Sequence, residues 1–99
     1  MADANDAIKV APDVYSVLFE NARVRVLDAR MKAGAKSSMH SHPDGVWYLH
    51  LPATVKFTGG DGMTIEASLP SGIVWQDGQA HAVENVGPDE LHALAIELK

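Results

Sequence analysis

From Val14 onward the chain runs in short stretches rich in Val, Leu, Ile, Tyr, Trp and Phe, broken at close spacing by Gly, Pro, Asn and Asp. Brief apolar runs between turn formers are the pattern of an all-β domain. They predict strands over 14–19, 22–31, 37–42, 46–51, 54–58, 63–69, 73–76, 80–86 and 91–98. No segment longer than a turn carries the helical apolar period with caps at both ends, so helix is expected to be minimal. Strands this short, in one small domain, need a closed arrangement.

The punctuation agrees with this division. Asn21 separates the first two strands, Gly34 precedes the third, and Gly59-Gly60-Asp61-Gly62 is a hairpin turn whose glycines tolerate positive φ. Pro70-Ser71-Gly72 and Gly87-Pro88-Asp89 break the chain again. In the last strand His92, Leu94, Ile96 and Leu98 alternate with Ala93, Ala95 and Glu97, and the first set is expected to face inward. Residues 1–13, polar, Ala-rich and ending near Pro12, predict a flexible arm or a strand lent to a neighbouring subunit. Residues 14–99 then form one domain.

Composition narrows the partners. At 99 residues there is room for one modest core and, by default, one site. Eight Lys and Arg, scattered along the chain, against 13 Asp and Glu give a net charge of −5, which argues against nucleic acid and acidic membrane surfaces. The absence of cysteine removes disulfides, thiolate ligands and Cys nucleophiles, so a bound metal must be held by nitrogen and oxygen. Met1 to Lys9 matches neither a signal nor a transit peptide, and no window reaches the roughly 18 apolar residues of a membrane helix. A cytoplasmic protein is the expectation.

Three of the five histidines stand out. His40-Ser41-His42 sets two imidazoles at i and i+2 of a strand, on one face and about 6.5 Å apart along the backbone. Rings so placed can tilt to share one ion at N–metal distances of about 2.1 Å. His81 opens a later strand that a rolled-up sheet can bring opposite the pair. The competing assignment is a chance His-x-His pair with His81 on the surface.

Sequence context favours the metal. The stretch Gly34-Ala35-Lys36-Ser37-Ser38-Met39-His40-Ser41-His42-Pro43 resembles the first motif of the cupin superfamily, a glycine followed by the HxH pair. Gly78-Gln79-Ala80-His81-Ala82-Val83-Glu84-Asn85 resembles the second, G-x-x-H-x-x-x-N. The resemblance spans roughly residues 20 to 98. It implies a small cupin-type β-barrel, a jelly-roll or double-stranded β-helix, in which His40, His42 and His81 are the ligands of one divalent metal ion.

Two positions depart from the family pattern. The glutamate that usually follows the HxH pair as a fourth ligand is missing: the region reads Asp44-Gly45-Val46-Trp47, with Asp44 the only acid. The proline of the second motif's turn is replaced by Gln76. Three neutral imidazoles would leave an ion with its full charge and open positions, favouring an anionic, bidentate small molecule. The set is similar to that of cupin dioxygenases acting on β-diketones or thiols, which implies Fe²⁺, although imidazole equally accepts Zn²⁺, Mn²⁺, Ni²⁺ or Cu²⁺.

Trp47, Tyr48 and Trp75 are candidates to line a pocket over the metal, with Tyr48 or Gln76 donating a hydrogen bond to substrate. Core packing is the competing assignment for the aromatics. His50 and His92 could approach the metal or serve as hydrogen-bonded structural residues, Glu84 alternates away from His81, and Asn85 is expected to hold a strand end. Ser37, Ser38 and Ser41 sit in no nucleophile elbow, and no Gly-rich phosphate cradle is present. Two readings follow: a dioxygenase of a small diketone-like substrate, or a non-catalytic binding or sensing module in which metal is structural or captures ligand. A metal-free structural dimer is a third. A homodimer is expected, because the edges of so short a barrel invite pairing.

Overall fold

The structure, a computed structural model, describes residues 5–99. Nine strands are present among them: β1 (Tyr15–Glu20), β2 (Val24–Met31), β3 (His40–His42), β4 (Gly45–Leu49), β5 (Ala53–Gly59), β6 (Thr64–Leu69), β7 (Gly72–Gln76), β8 (Gln79–Asn85) and β9 (Leu91–Leu98). They pair antiparallel in two sheets, one ordered β1-β2-β9-β4-β7 and the other β3-β8-β5-β6. The turn at Gly59–Gly62 closes β5 onto β6: Gly62 takes φ +85°, and Asp61 Oδ1 accepts the Met63 N–H at 2.9 Å. The all-β reading holds, with strand positions close to those predicted.

The expected strand 37–42 is regular only over His40–His42. Ahead of it Ser37 pairs with Val83 through its N–H at 2.8 Å, and its own Oγ accepts the Val83 N–H at 2.9 Å. A hydroxyl therefore replaces part of the ladder.

Leu27, Ala29, Met31, Leu49, Val55, Val83, Ala93 and Ala95 form the core between the sheets. Here the expected orientation of the last strand is reversed. Ala93, Ala95 and Glu97 face inward and are buried, while His92, Leu94, Ile96 and Leu98 lie on the outer face. The reason is the register. Ala93 and Ala95 pair with Ala29 and Leu27 of β2 and with Leu49 and Trp47 of β4, and their small side chains leave room for those larger ones.

The outer face of the same sheet carries an apolar row beside the polar side chains of Asp28, Arg30 and His92. Phe19, Val26, Ile96, Val46 and Trp75 are successive ladder partners, making one row across all five strands, with Leu94, Tyr48 and Ile73 in the neighbouring row. No described helix or strand packs over the centre of this face.

Residues 1–4 of the expected arm lie outside the described residues. The described part, residues 5–13, does not behave as a loose arm. Asp6 caps the short helix α1 (Ala7–Val10) by accepting the Ile8 N–H, and it bridges to Ser41 of β3. Ala7 and Ala11 are fully buried in the core. The Ala-rich composition that suggests a tether supplies the small side chains needed to close this side of the barrel. None of the described helices is long and apolar enough to cross a membrane.

Candidate metal centre

The β3–β8 ladder places the histidines. His40 and His81 are direct register partners, and His42 lies two residues on, on the same inward face. The three ring centroids stand 4.8, 4.9 and 5.3 Å apart, nearly an equilateral triangle, and one nitrogen from each ring lies within 4.8 Å of the others. All three side chains are buried.

Their hydrogen bonds leave lone pairs aimed inward. His40 Nδ1 is 2.7 Å from the Ser38 carbonyl, which can only accept, so its proton sits on Nδ1 and Nε2 is left as an acceptor. His42 Nδ1 donates to Glu97 Oε2 at 2.6 Å, leaving Nε2 bare. His42 Nε2 and both nitrogens of His81 are buried without any hydrogen-bond partner. Buried polar atoms almost always find partners; the bare His42 Nε2 and one bare His81 nitrogen, beside a His40 Nε2 whose partner is the Tyr15 hydroxyl, are what a divalent ion would satisfy.

Burial holds the His40 and His81 rings neutral. It lowers His40, with the Ser38 carbonyl partly opposing, and it lowers His81 to about 3, with its two histidine neighbours adding to the effect. Neutral imidazole is the form that binds metal.

Tyr15, Trp47 and Phe57 cage the rings. Tyr15 meets His40 and His42 edge-on at 4.9 and 5.2 Å, Trp47 meets His42 at 5.2 Å, and Phe57 stacks on His81 at 5.3 Å. The Tyr15 hydroxyl lies 3.0 Å from His40 Nε2, and burial, reinforced by the Glu97 charge, raises its pKa and keeps its proton in place. Trp47 occupies an inward position of β4 just after the HxH pair, in the region where the family glutamate is expected.

A carboxylate reaches the site by another route. Glu97, from the opposite sheet, joins His42 to Arg25, whose Nε and Nη2 donate to Glu97 Oε1 at 2.9 and 2.6 Å. Arg25 also makes a bidentate pair with Asp6, at 3.0 and 2.6 Å. Burial opposes the Asp6 charge, but the Arg25 guanidinium outweighs it and keeps this carboxyl below its usual range. A line of alternating charge thus runs Asp6–Arg25–Glu97 and ends on His42. Sequence reasoning missed Tyr15, Arg25, Asp6 and Glu97. The available signal was Glu97 as the lone acid in an apolar last strand.

The remaining candidates divide by face. Trp47 and Gln76 lie on the inner side and line a cavity of about 390 Å³ that begins at His81 and passes between the sheets. Trp75 borders the cavity mouth, but its register partner Val46 puts its side chain on the outer face, where it is 52% exposed and donates to Asp77 Oδ1 at 2.8 Å. Tyr48 likewise points outward and does not line the cavity. Strand parity therefore removes Tyr48 from the pocket wall and leaves Trp75 at its rim.

Asp44 is no ligand: its Oδ1 accepts the Gly78 N–H at 2.7 Å and ties two turns together. His92 pairs with Asp28 at 2.8 Å on the outer side, with His50 beside it, and neither joins the three-histidine group. Asn85 holds the strand end as expected, donating to the Met31 and Asp89 carbonyls at 3.0 and 2.8 Å.

No protein-family model and no curated protein matches the chain. Solved structures do. A cupin domain from Bordetella pertussis Tohama I is 25% identical with a TM-score of 0.78, the match covering 87% of this chain and 92% of that one. An uncharacterised conserved protein with a double-stranded β-helix domain from Klebsiella pneumoniae is 20% identical with a TM-score of 0.68, over 86% and 75%. An RmlC-like cupin family protein from Methanocaldococcus jannaschii is 14% identical with a TM-score of 0.65, over 86% and 78%. Fold and histidines together define a double-stranded β-helix with a candidate metal centre between its sheets. This is the cupin fold in a small, single-barrel form with three histidines.

Proposed function

We propose that this protein is a mononuclear metal cupin in which His40, His42 and His81 hold one divalent ion and a small molecule enters the cavity beside it. The observation that carries the reading is three buried imidazoles with one nitrogen from each within 4.8 Å of the others, those of His42 and His81 without any hydrogen-bond partner. A divalent ion supplies Lewis acidity and open coordination positions there. The chain's own groups do the rest. Glu97 fixes the His42 tautomer, Ser38 fixes that of His40, Trp47 and Phe57 exclude water, and the Tyr15 hydroxyl, which keeps its proton, holds the His40 ring in place through Nε2.

The finer proposal is Fe²⁺ and oxygenolytic cleavage of a small diketone-like substrate. The second reading, a non-catalytic binding or sensing cupin, gains support from the cavity wall, where no obvious general base stands free. Among the described residues Asp77, at the mouth, is the one acid lining it. A homodimer is part of the proposal, supported by the apolar row on the outer face, and so is a cytoplasmic location, supported only by the acidic, cysteine-free composition.

Metal analysis of protein purified without a His-tag is expected to give about one ion per chain, and none in His81→Ala. Equal metal in both, or none in either, rejects the site. Oxygen uptake by the ferrous protein with a panel of β-diketones then separates enzyme from binder, and no uptake with any member leaves the binding module.

A further inference from the structure

The cavity wall says more about the occupant than the three histidines do. Val14, Met31, Leu49, Val55, Leu69 and Val83 are among the residues that make it apolar, and at about 390 Å³ it has the size of a small-molecule site, typically roughly 300–1,000 Å³. No Lys or Arg lines it. Arg25, the one guanidinium near the site, has both faces of its fork committed to Asp6 and Glu97. Among the described residues the only charged side chain at the mouth is the acid Asp77, beside Gln76 and Gln79.

A ligand with a free carboxylate would leave that charge buried without a counter-ion, which is costly. The single compensating charge would be that of the ion itself, at one end of the cavity. The neutral donors nearby are the amides of Gln76 and Gln79, which suit oxygen acceptors of a head group, while the Tyr15 hydroxyl is engaged with His40 Nε2.

We infer that the site selects a ligand with an apolar, aryl or branched-alkyl body and one compact, oxygen-chelating head carrying at most a single negative charge, and that it rejects small dianions. This deepens the metal-site reading and rests on it. It also narrows the anionic ligand expected from ligand type alone, since the wall offers no second cation. The head meets the ion at the His81 end, and the body fills the space between Leu49, Val55, Leu69 and Val74.

The test uses zinc-loaded protein, with zinc per chain measured in the same samples, and three probes titrated by quenching of tryptophan fluorescence and by calorimetry: 1-phenylbutane-1,3-dione, pentane-2,4-dione and malonate. Burying a phenyl group in place of a methyl is expected to tighten binding by about tenfold or more, and malonate is expected not to bind. The variant Val74→Arg, which adds a cation to the wall, is expected to weaken the phenyl dione and admit malonate. If that variant does not fold, the ranking on the unaltered protein still decides. One zinc per chain with equal affinities, or with malonate preferred, overturns the ligand class and leaves the metal site standing. No zinc bound overturns both.

Discussion

At the scale of single residues, the arrangement turns on Glu97. A carboxylate behind a metal-binding histidine fixes ring orientation and tautomer, and removing such a partner typically costs about 10–100-fold in metal affinity. Glu97→Gln is therefore expected to weaken zinc binding by about that factor, read by competition with a chromogenic chelator. Glu97→Ala adds a stability cost of about 1–3 kcal/mol, because the partly buried Arg25 loses its hydrogen bonds to Glu97 while keeping those to Asp6. Unchanged zinc affinity in Glu97→Gln would mean that Glu97 serves the fold alone.

His81 makes a separate prediction for the metal-free protein. The ring titrates near 6.5 when unfolded and at about 3 when folded, chiefly because burial disfavours the charged form. Between these values the unfolded chain takes up a proton that the folded chain refuses. Stability therefore falls as pH drops below about 6.5, by up to about 1.4 kcal/mol per pH unit from this one group, and the decline ends near the folded value. His40 is shifted in the same direction. Urea midpoints measured at pH 7, 6 and 5 should fall in that order, and His81→Leu should flatten the trend. An identical slope in the variant would contradict this assignment.

At the scale of elements, what could be read from the sequence and what could not have physical causes. The ligands could be read because the period of a strand puts His40 and His42 on one face, and because both motifs are short and local. The partners of those ligands could not. Arg25 meets Glu97 through the β2–β9 register, set by tertiary pairing, and Glu97 meets His42 across the space between the two sheets, so both contacts join residues far apart in the chain. The orientation of β9 was misread because both of its faces carry apolar side chains. The larger set, Leu94, Ile96 and Leu98, implied burial, yet the inner face needed the small Ala93 and Ala95 to accommodate Trp47 and Leu49. Parity on β4 and β7 likewise decides that Trp47 and Gln76 enter the cavity, that Trp75 only borders its mouth, and that Tyr48 stays outside.

Gly45 shows how closely these elements approach. A Cβ at this position would lie 2.6 Å from the Ile96 carbonyl oxygen, so β4 and β9 would have to separate. Gly45→Ala is expected to destabilise the protein by about 1–3 kcal/mol, as overpacking does, in chemical denaturation followed by fluorescence. Trp47, two residues along and edge-on to His42, should move with the strand, so metal affinity should fall in the same variant. A variant of full stability would show that the strands yield without cost.

At the scale of the whole molecule, the row Phe19–Val26–Ile96–Val46–Trp75 spans the full width of one sheet and ends at both sides on half-exposed aromatics. Ile73 beside it is 70% exposed. Five strands about 4.8 Å apart, each about six residues long, make a face of roughly 450 Å² in projection, its apolar row flanked on one side by the polar side chains of Asp28, Arg30 and His92, and an apolar centre with a polar rim is the make-up of a contact surface. Two such twisted sheets can stack face to face about 10 Å apart, and a two-fold axis would make the contact self-complementary. Val46 lies at the centre of the row. Val46→Lys would put a charge there, while the inward side chains that build the metal centre lie on the other side of the sheet. Sedimentation velocity at about 100 µM is expected to show a dimer for the unaltered chain and a monomer for Val46→Lys, with zinc content unchanged in both. A monomer in the unaltered protein at that concentration would remove the dimer from the proposal. A dimer persisting in Val46→Lys would move the contact to the sheet edges, where β1 and β7 leave backbone groups unpaired.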